Sequence, residues 1–325
     1  MSRMIIAAVL AVALAFPGTA GAQEWPNRPM TLVVAYAAGG PVDTIARIFA
    51  ARLSEILGQQ VVVENIGGAG GMVGASRVAK ATPDGYTALF GGLANLAQNQ
   101  TLYKNPLYNA ATDFTPVGLV TDSPRVLITR KDFPANSLAE FMSYAKANQA
   151  RLQYGTAGGG SGTHVCAILL DGIMGTKITH VPYRGAGPAM QDMIGGRLDY
   201  ICEQISTAFP QIESGMVKAI AILGPDRVSV LPNLPAAKES GLSQLDCGSW
   251  SAVMLPPKAP EAIVRRLNKA AGDAVDTPSV RERLQAVGVT IVPPERRSPE
   301  YLAKYIPSEI EKWAGPIKAS GVSGE

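Results

Sequence analysis

Residues 158–164 read GGGSGTH and put the Ser161 and Thr163 hydroxyls beside the His164 imidazole. A serine nucleophile needs a histidine base, and the chain has only two histidines, His164 and His180. The segment departs from G-x-S-x-G by one residue, Thr163 standing where the second glycine belongs. A secreted serine-type hydrolase using Ser161 is therefore one reading. The other is that Ser161 caps a helix and that Thr163 and His164 occupy its first turn, as donors lining a site. No H-E-x-x-H, paired Cys-x-x-Cys or acid cluster is present, so neither a metal nor a cofactor is expected. Asp43 and Asp199 are isolated in sequence, and Arg47 and Arg184 are candidate partners for carboxylates.

These groups need elements to position them. TLVVAYAAGGPVDTIAR, residues 31–47, predicts a buried strand over Leu32–Ala38, a tight turn at Gly39 and Gly40, and a helix opening at Pro41. A helix N-terminus at a strand end carries unpaired N–H groups and partial positive charge, which suits an anion. Asp43 then either stabilises the helix start, orients the glycine loop or accepts from water on the ligand. LQYGTAGGGSGTHVCAILL repeats this grammar around Gly160, Ser161, Thr163 and His164. Two such modules in two domains would let two positive helix ends share one small di-anion. The dinucleotide and P-loop fingerprints are both absent. GGAGG at 67–71 is read as a loop passing close to the cleft or to a neighbouring element.

The chain has 325 residues, 47% of them hydrophobic and 17% charged, enough for two domains with cores. Arg3, an apolar run over 5–16 and Ala20-Gly21-Ala22 predict a cleaved signal peptide, residues 1–22, and an exported periplasmic protein. The net charge of +3 and the lack of a basic block argue against a nucleic-acid or membrane-surface partner. Three cysteines allow three single pairs. Cys166 lies in a helical apolar pattern and reads as core, so a Cys202–Cys247 bridge is expected, with Cys166 reduced and buried.

Further along, TALFGG is a buried strand with Asn95 just past its end, where open α/β sheets often place ligand-facing residues. The texture changes near 121–125, which predicts a crossing into a second domain. Ser137 with Glu140 makes a capping-box pattern. Tyr183, Arg184 and Gly185 form a second candidate rim. SWSAVMLPP returns the chain to the first domain, and two C-terminal helical stretches should cover it. The expected division is 23–122 plus 248–325 for domain 1 and 123–247 for domain 2.

In order, WPNRPMTLVVAYAAGGPVDTIAR, VVVENIGGAGGMVGASRVAKATPDGYT, YGTAGGGSGTH, HVPYRGAGPAMQDMIGG and LPNLPAAKESG resemble the Bug family of periplasmic solute receptors, which serve tripartite tricarboxylate transporters. The resemblance covers essentially the whole mature chain. It implies an α/β fold of the type II periplasmic binding protein kind, two hinged domains holding a small carboxylate between them, and no enzymatic activity. It implies ligand contacts from Ala38, Gly39, Gly40 and Asp43, from Gly160, Ser161, Thr163 and His164, and from Tyr183 and Gly185. Asn95 and Gln204 are expected at the distal end of the ligand. Gly92 stands where many relatives carry a hydroxyl. The implied partners are a carboxylate and the transporter's membrane components, and the protein is expected to be a monomer. A receptor feeding a sensor kinase is a further alternative.

Overall fold

The computed structural model describes residues 25–319, and the predicted signal peptide lies outside them. In chain order the principal elements are β1 (Met30–Val34), α1 (Pro41–Leu57), β2 (Val61–Asn65), α2 (Met72–Ala79), β3 (Thr87–Gly92), α3 (Asn99–Leu102), β4 (Thr115–Ser123) and β5 (Arg125–Arg130). Then come α4 (Leu138–Asn148), β6 (Gln153–Thr156), α5 (Gly162–Met174), β7 (Thr179–Pro182), α6 (Ala186–Ile194), β8 (Tyr200–Gln204), α7 (Ile205–Glu213) and β9 (Val217–Ile222). The chain closes with β10 (Ser249–Leu255), α8 (Glu261–Asp276), α9 (Pro278–Gln285), β11 (Thr290–Ile291) and α10 (Pro299–Ala319).

The strands form two sheets, ordered β11-β4-β10-β3-β1-β2 and β7-β6-β8-β5-β9. In the first, β1 runs parallel to both β2 and β3, and its near-continuous burial matches a strand covered on two faces. One face packs under α1, α8 and α9 around Phe49, Phe90 and Leu267. The other packs under α2 and α10 around Leu89, Leu96 and Trp313. The second sheet is likewise covered on both faces, by α4 and α5 around Phe141 and Tyr200 and by α6 and α7 around Met193 and Ile201. This is a two-domain α/β fold.

The two passages between the sheets lie side by side. Ser123 pairs with Ser249 at the end of the β4–β10 ladder. One residue further on, Pro124 leads into Arg125, whose carbonyl accepts from Leu223 N at 2.8 Å, and the Leu223 carbonyl accepts from Cys247 N at 2.9 Å.

Helix α1 opens at Pro41 as predicted, and Gly58 ends it in the left-handed conformation with its N–H on the Glu55 carbonyl. The Ser137 hydroxyl accepts from Glu140 N at 3.2 Å, while the Glu140 carboxylate reaches back one residue further, to Asn136 N at 2.8 Å.

Two expectations fail. Strand β1 stops at Val34 rather than Ala38: β2 ends opposite it at Asn65, and the Asn65 side-chain amide, not a strand partner, takes up the Tyr36 carbonyl at 3.1 Å. The apolar residues beyond Val34 form a loop instead. The disulfide joins Cys166 to Cys247, with Cα atoms 5.6 Å apart, and Cys202 is the buried free thiol. All three cysteines share one core cluster. The helical burial that marks Cys166 as core is what carries its sulfur to the returning chain at Cys247.

Candidate functional site

The loop from β1 to α1 is braced by Asp43. Its Oδ2 accepts from Gly39 N and from Arg47 Nε, both at 2.9 Å, and its Oδ1 accepts from Asn65 Nδ2 at 2.9 Å. Asn65 Nδ2 also reaches the Tyr36 carbonyl at 3.1 Å. Burial alone would raise the Asp43 pKa, but the bonds from Arg47, Gly39 and Asn65 outweigh it and hold the carboxyl below its usual range. Asp43 is buried with both oxygens engaged, so it orients the glycine loop.

The loop from β6 to α5 is braced by hydroxyls. Ser161 Oγ donates to the Gly158 carbonyl at 2.7 Å, lies 2.9 Å from Thr163 Oγ1 and accepts from His164 N at 3.4 Å. Thr163 Oγ1 accepts from Ala157 N at 2.8 Å. His164 Nδ1 accepts from Gly160 N at 3.2 Å, and its ring stacks on His180 with centroids 4.2 Å apart. Burial first, and the neighbouring His180 second, lower the His164 pKa to about 4, so the pair is neutral near pH 7. His164 Nδ1 is engaged with Gly160 N and the Ser161 hydroxyl with the Gly158 carbonyl. No nucleophile–base pair forms between them.

Both helix ends open into one cavity of about 40 Å³. Gly40, Pro41 and Val42 of the α1 start line it from the first sheet, and Ser161, Gly162 and Thr163 of the α5 start from the second. Ala186, the first residue of α6, and Gln204, which precedes α7, complete a ring of helix N-termini. A second cavity of about 990 Å³ meets the first at Tyr36 and Ala157. Ala38, His164, Tyr183 and the glycines 67–71 line this outer space.

The remaining expected residues stand behind these surfaces. Gly39 is exposed and holds Asp43. Asn95 is buried, its Oδ1 accepting from Gly92 N at 2.8 Å, so it fixes the end of β3. Gly160 and Gly185 are places of close approach: a Cβ on Gly160 would lie 2.6 Å from the Tyr103 ring, and one on Gly185 2.6 Å from Ala37 Cβ. A side chain at Gly92 would meet the Trp250 carbonyl at 2.6 Å, which accounts for glycine there. Around the outer cavity, loops of the first sheet touch loops of the second. Tyr103 OH donates to the Gly159 carbonyl at 3.1 Å, and Gly70 backs directly onto Gly160. The GGAGG stretch is this close approach.

Arg125 is the residue that sequence reasoning missed. It opens β5 directly after the crossing between sheets, is 4% exposed and lines the inner cavity. Its side chain has no hydrogen bond, and no ion pair within 4.0 Å, among the described residues. Burial lowers its pKa, with Glu203, Cys202 and Tyr36 opposing, and a guanidinium stays protonated at physiological pH. Glu203 Oε1 accepts from Gln204 N and the Thr207 hydroxyl, while its Oε2 has no partner among the described residues. A buried charge without a partner costs on the order of several kcal/mol. The available signal was an arginine opening the otherwise apolar strand RVLIT just where the texture changes.

Two α/β lobes joined by paired passages, with cavities lined from both, have the architecture of periplasmic binding proteins. The chain matches the family model described as the tripartite tricarboxylate transporter family receptor over residues 45–322. It belongs to that family, the TctC or Bug-type periplasmic solute-binding receptors, which is a receptor family and not an enzyme family. A UPF0065 protein of Agrobacterium vitis is 41% identical over 323 residues, covering 98% of this chain and 92% of the relative. The solved structure of the periplasmic binding protein BugD superposes with a TM-score of 0.90 at 38% identity, over 93% of this chain and 100% of that one. MatC from Rhodopseudomonas palustris, solved with bound malate, gives 0.87 at 40% identity, over 90% and 100%.

Proposed function

We propose that this receptor captures a small carboxylate by closing its two lobes and delivers it to the membrane components of a tripartite tricarboxylate transporter. The observation that carries this reading is that the N-termini of α1 and α5, from different sheets, line one cavity. Each end offers main-chain donors and positive partial charge, and neither is complete without the other. Gly40, Ser161, Thr163 and Gln204 face the ligand, while Gly39, Asp43, Gly160 and Gly185 shape the loops that present it. Ala38, His164 and Tyr183 form the entrance. The inner space of about 40 Å³ holds roughly three water molecules, so an organic acid enters by parting the lobes. The hinge is the pair of passages at 123–125 and 247–249, which divides the chain into 23–122 plus 248–325 and 123–247. The leader 1–22 places the monomeric receptor in the periplasm. Malate bound to MatC, a relative at 40% identity, supports the ligand class.

A thermal-shift screen of the mature protein tests this, using mono-, di- and tricarboxylates, nucleotides and neutral analogues. A ligand at about 100 times its dissociation constant adds roughly 2.7 kcal/mol. Stabilisation by carboxylates, weakened in Ser161→Ala, supports the reading; stabilisation by nucleotides or neutral compounds alone overturns it. Uptake of the stabilising acid should stop when the gene for the membrane component is deleted. A receptor serving a sensor would leave uptake intact.

A further inference from the structure

The carboxylate reading, on which this inference rests, leaves the ligand's remaining chemistry open, and the inner cavity narrows it. A Cβ on Gly162 would lie 2.0 Å from Arg125 Nη2, so the guanidinium packs directly against the first turn of α5. A fixed positive charge thus sits beside the positive end of a helix, with the α1 start lining the same space. Glu203 acts on Arg125 through its charge but makes no ion pair with it within 4.0 Å, and although its Oε2 has no partner among the described residues, Glu203 does not line the cavity. Neither Asp nor Glu lines the cavity among the described residues. Val42, Leu93, Ala94, Ala157 and Ala186 give it aliphatic walls, beside the uncharged polar groups of Tyr36, Gln204 and Ser249.

We propose that Arg125 pairs directly with the ligand carboxylate, and that the site takes small aliphatic carboxylates carrying no amino group. A carboxylate between the guanidinium and the α5 N–H groups satisfies both at once through charge-assisted bonds. An ammonium group brought into the same space is desolvated beside like charge with no acid to receive it. Zwitterionic amino acids are rejected on that ground, by repulsion rather than by size.

Isothermal titration of the mature protein with malate, aspartate, succinate and adipate tests this. Malate and aspartate differ only in a hydroxyl against an ammonium. The wild type should bind at least one of malate, succinate and adipate, and aspartate on the order of 100-fold more weakly than malate. Arg125→Gln should weaken binding on the order of 100-fold, and Arg125→Lys should recover part of it, with circular dichroism showing both variants folded. Aspartate binding as tightly as malate overturns the proposal, as does unchanged binding in folded Arg125→Gln, while the carboxylate reading stands in either case. If Arg125→Gln fails to fold, the malate-to-aspartate ratio of the wild type decides alone. Binding of none of the four acids overturns the proposal of a small aliphatic carboxylate, and the thermal-shift screen then decides the carboxylate reading separately.

Discussion

Gly70 and Gly160 meet back to back across the cleft: a Cβ on Gly70 would stand 2.7 Å from both the carbonyl carbon and the carbonyl oxygen of Gly160. Gly70 has φ 61° and Gly160 φ 74°, and the Gly70 carbonyl accepts from Asn99 Nδ2 at 2.9 Å. Two bare backbones, one from each lobe, are here packed as closely as a missing side chain allows.

Gly70→Ala should hold the lobes apart, because the atoms it meets are backbone and cannot swing aside. The left-handed conformation adds about 1 kcal/mol of strain. Ligand affinity should fall at least tenfold and small-angle scattering should no longer show compaction on adding ligand. Unchanged compaction would show that this contact does not limit closure.

Thiol counting on the denatured, unreduced protein should find one free thiol, from Cys202. Peptide mapping should recover Cys166 linked to Cys247. A loop of 81 residues constrains the unfolded chain by about 4.5 kcal/mol in the chain-entropy model, so Cys166→Ser should lower stability by roughly 2–4.5 kcal/mol. Cys202→Ser should leave the bridge intact.

His164 makes stability depend on pH. Its folded pKa of about 4 lies below its ordinary 6.5, so the unfolded chain binds the proton first as pH falls. Stability is full above 6.5 and declines between 6.5 and 4, by up to about 1.4 kcal/mol per pH unit. Burial lowers His180 too, in the same direction. Asp43, with its pKa held down, loses its contribution only below its ordinary 3.8, outside that window. Buried acids with raised pKa, Asp122, Asp171 and Glu203, act in the opposite sense, so the comparison must be between proteins. His164→Gln should give a flatter melting profile from pH 7 to 4 than the wild type, and parallel profiles would refute the assignment.

Asp43→Ala should cost about 1–3 kcal/mol in chemical denaturation, since it removes the acceptor of the Gly39 N–H and the carboxylate partner of Arg47 and leaves the Asn65 amide only the Tyr36 carbonyl. Ligand affinity should fall with it through the disordered glycine loop. Asp43→Asn, which keeps an acceptor, should lose less of both.

Local patterns were readable in the sequence wherever the structure is locally determined. Pro41, Gly58 and the spacing of Ile45, Ile48 and Phe49 fixed α1, and Ser161 capped α5 as its position suggested. What escaped depends on which distant segments meet. Beyond β1 the Tyr36 carbonyl is taken by the side chain of Asn65, 29 residues on, and the disulfide depends on how α5 lies over the returning chain. Gly160 and Gly185 are expected as ligand contacts, and a sequence does not show that Tyr103 and Ala37 press against them. Arg125 was passed over because its meaning comes from the crossing at Pro124, where two chain passages bring it beside the α5 start.

That location has a mechanical consequence. Arg125 follows Pro124 at the passage from one sheet to the other, and its carbonyl is tied to the return strand through Leu223. A rotation about those passages gives Arg125 almost no lever arm, while Gly70 and Gly160 swing through the full arc at the mouth. On the proposed hinge the charge at the pivot would stay in place as the mouth gapes, and a carboxylate would dock first on the part of the protein that moves least.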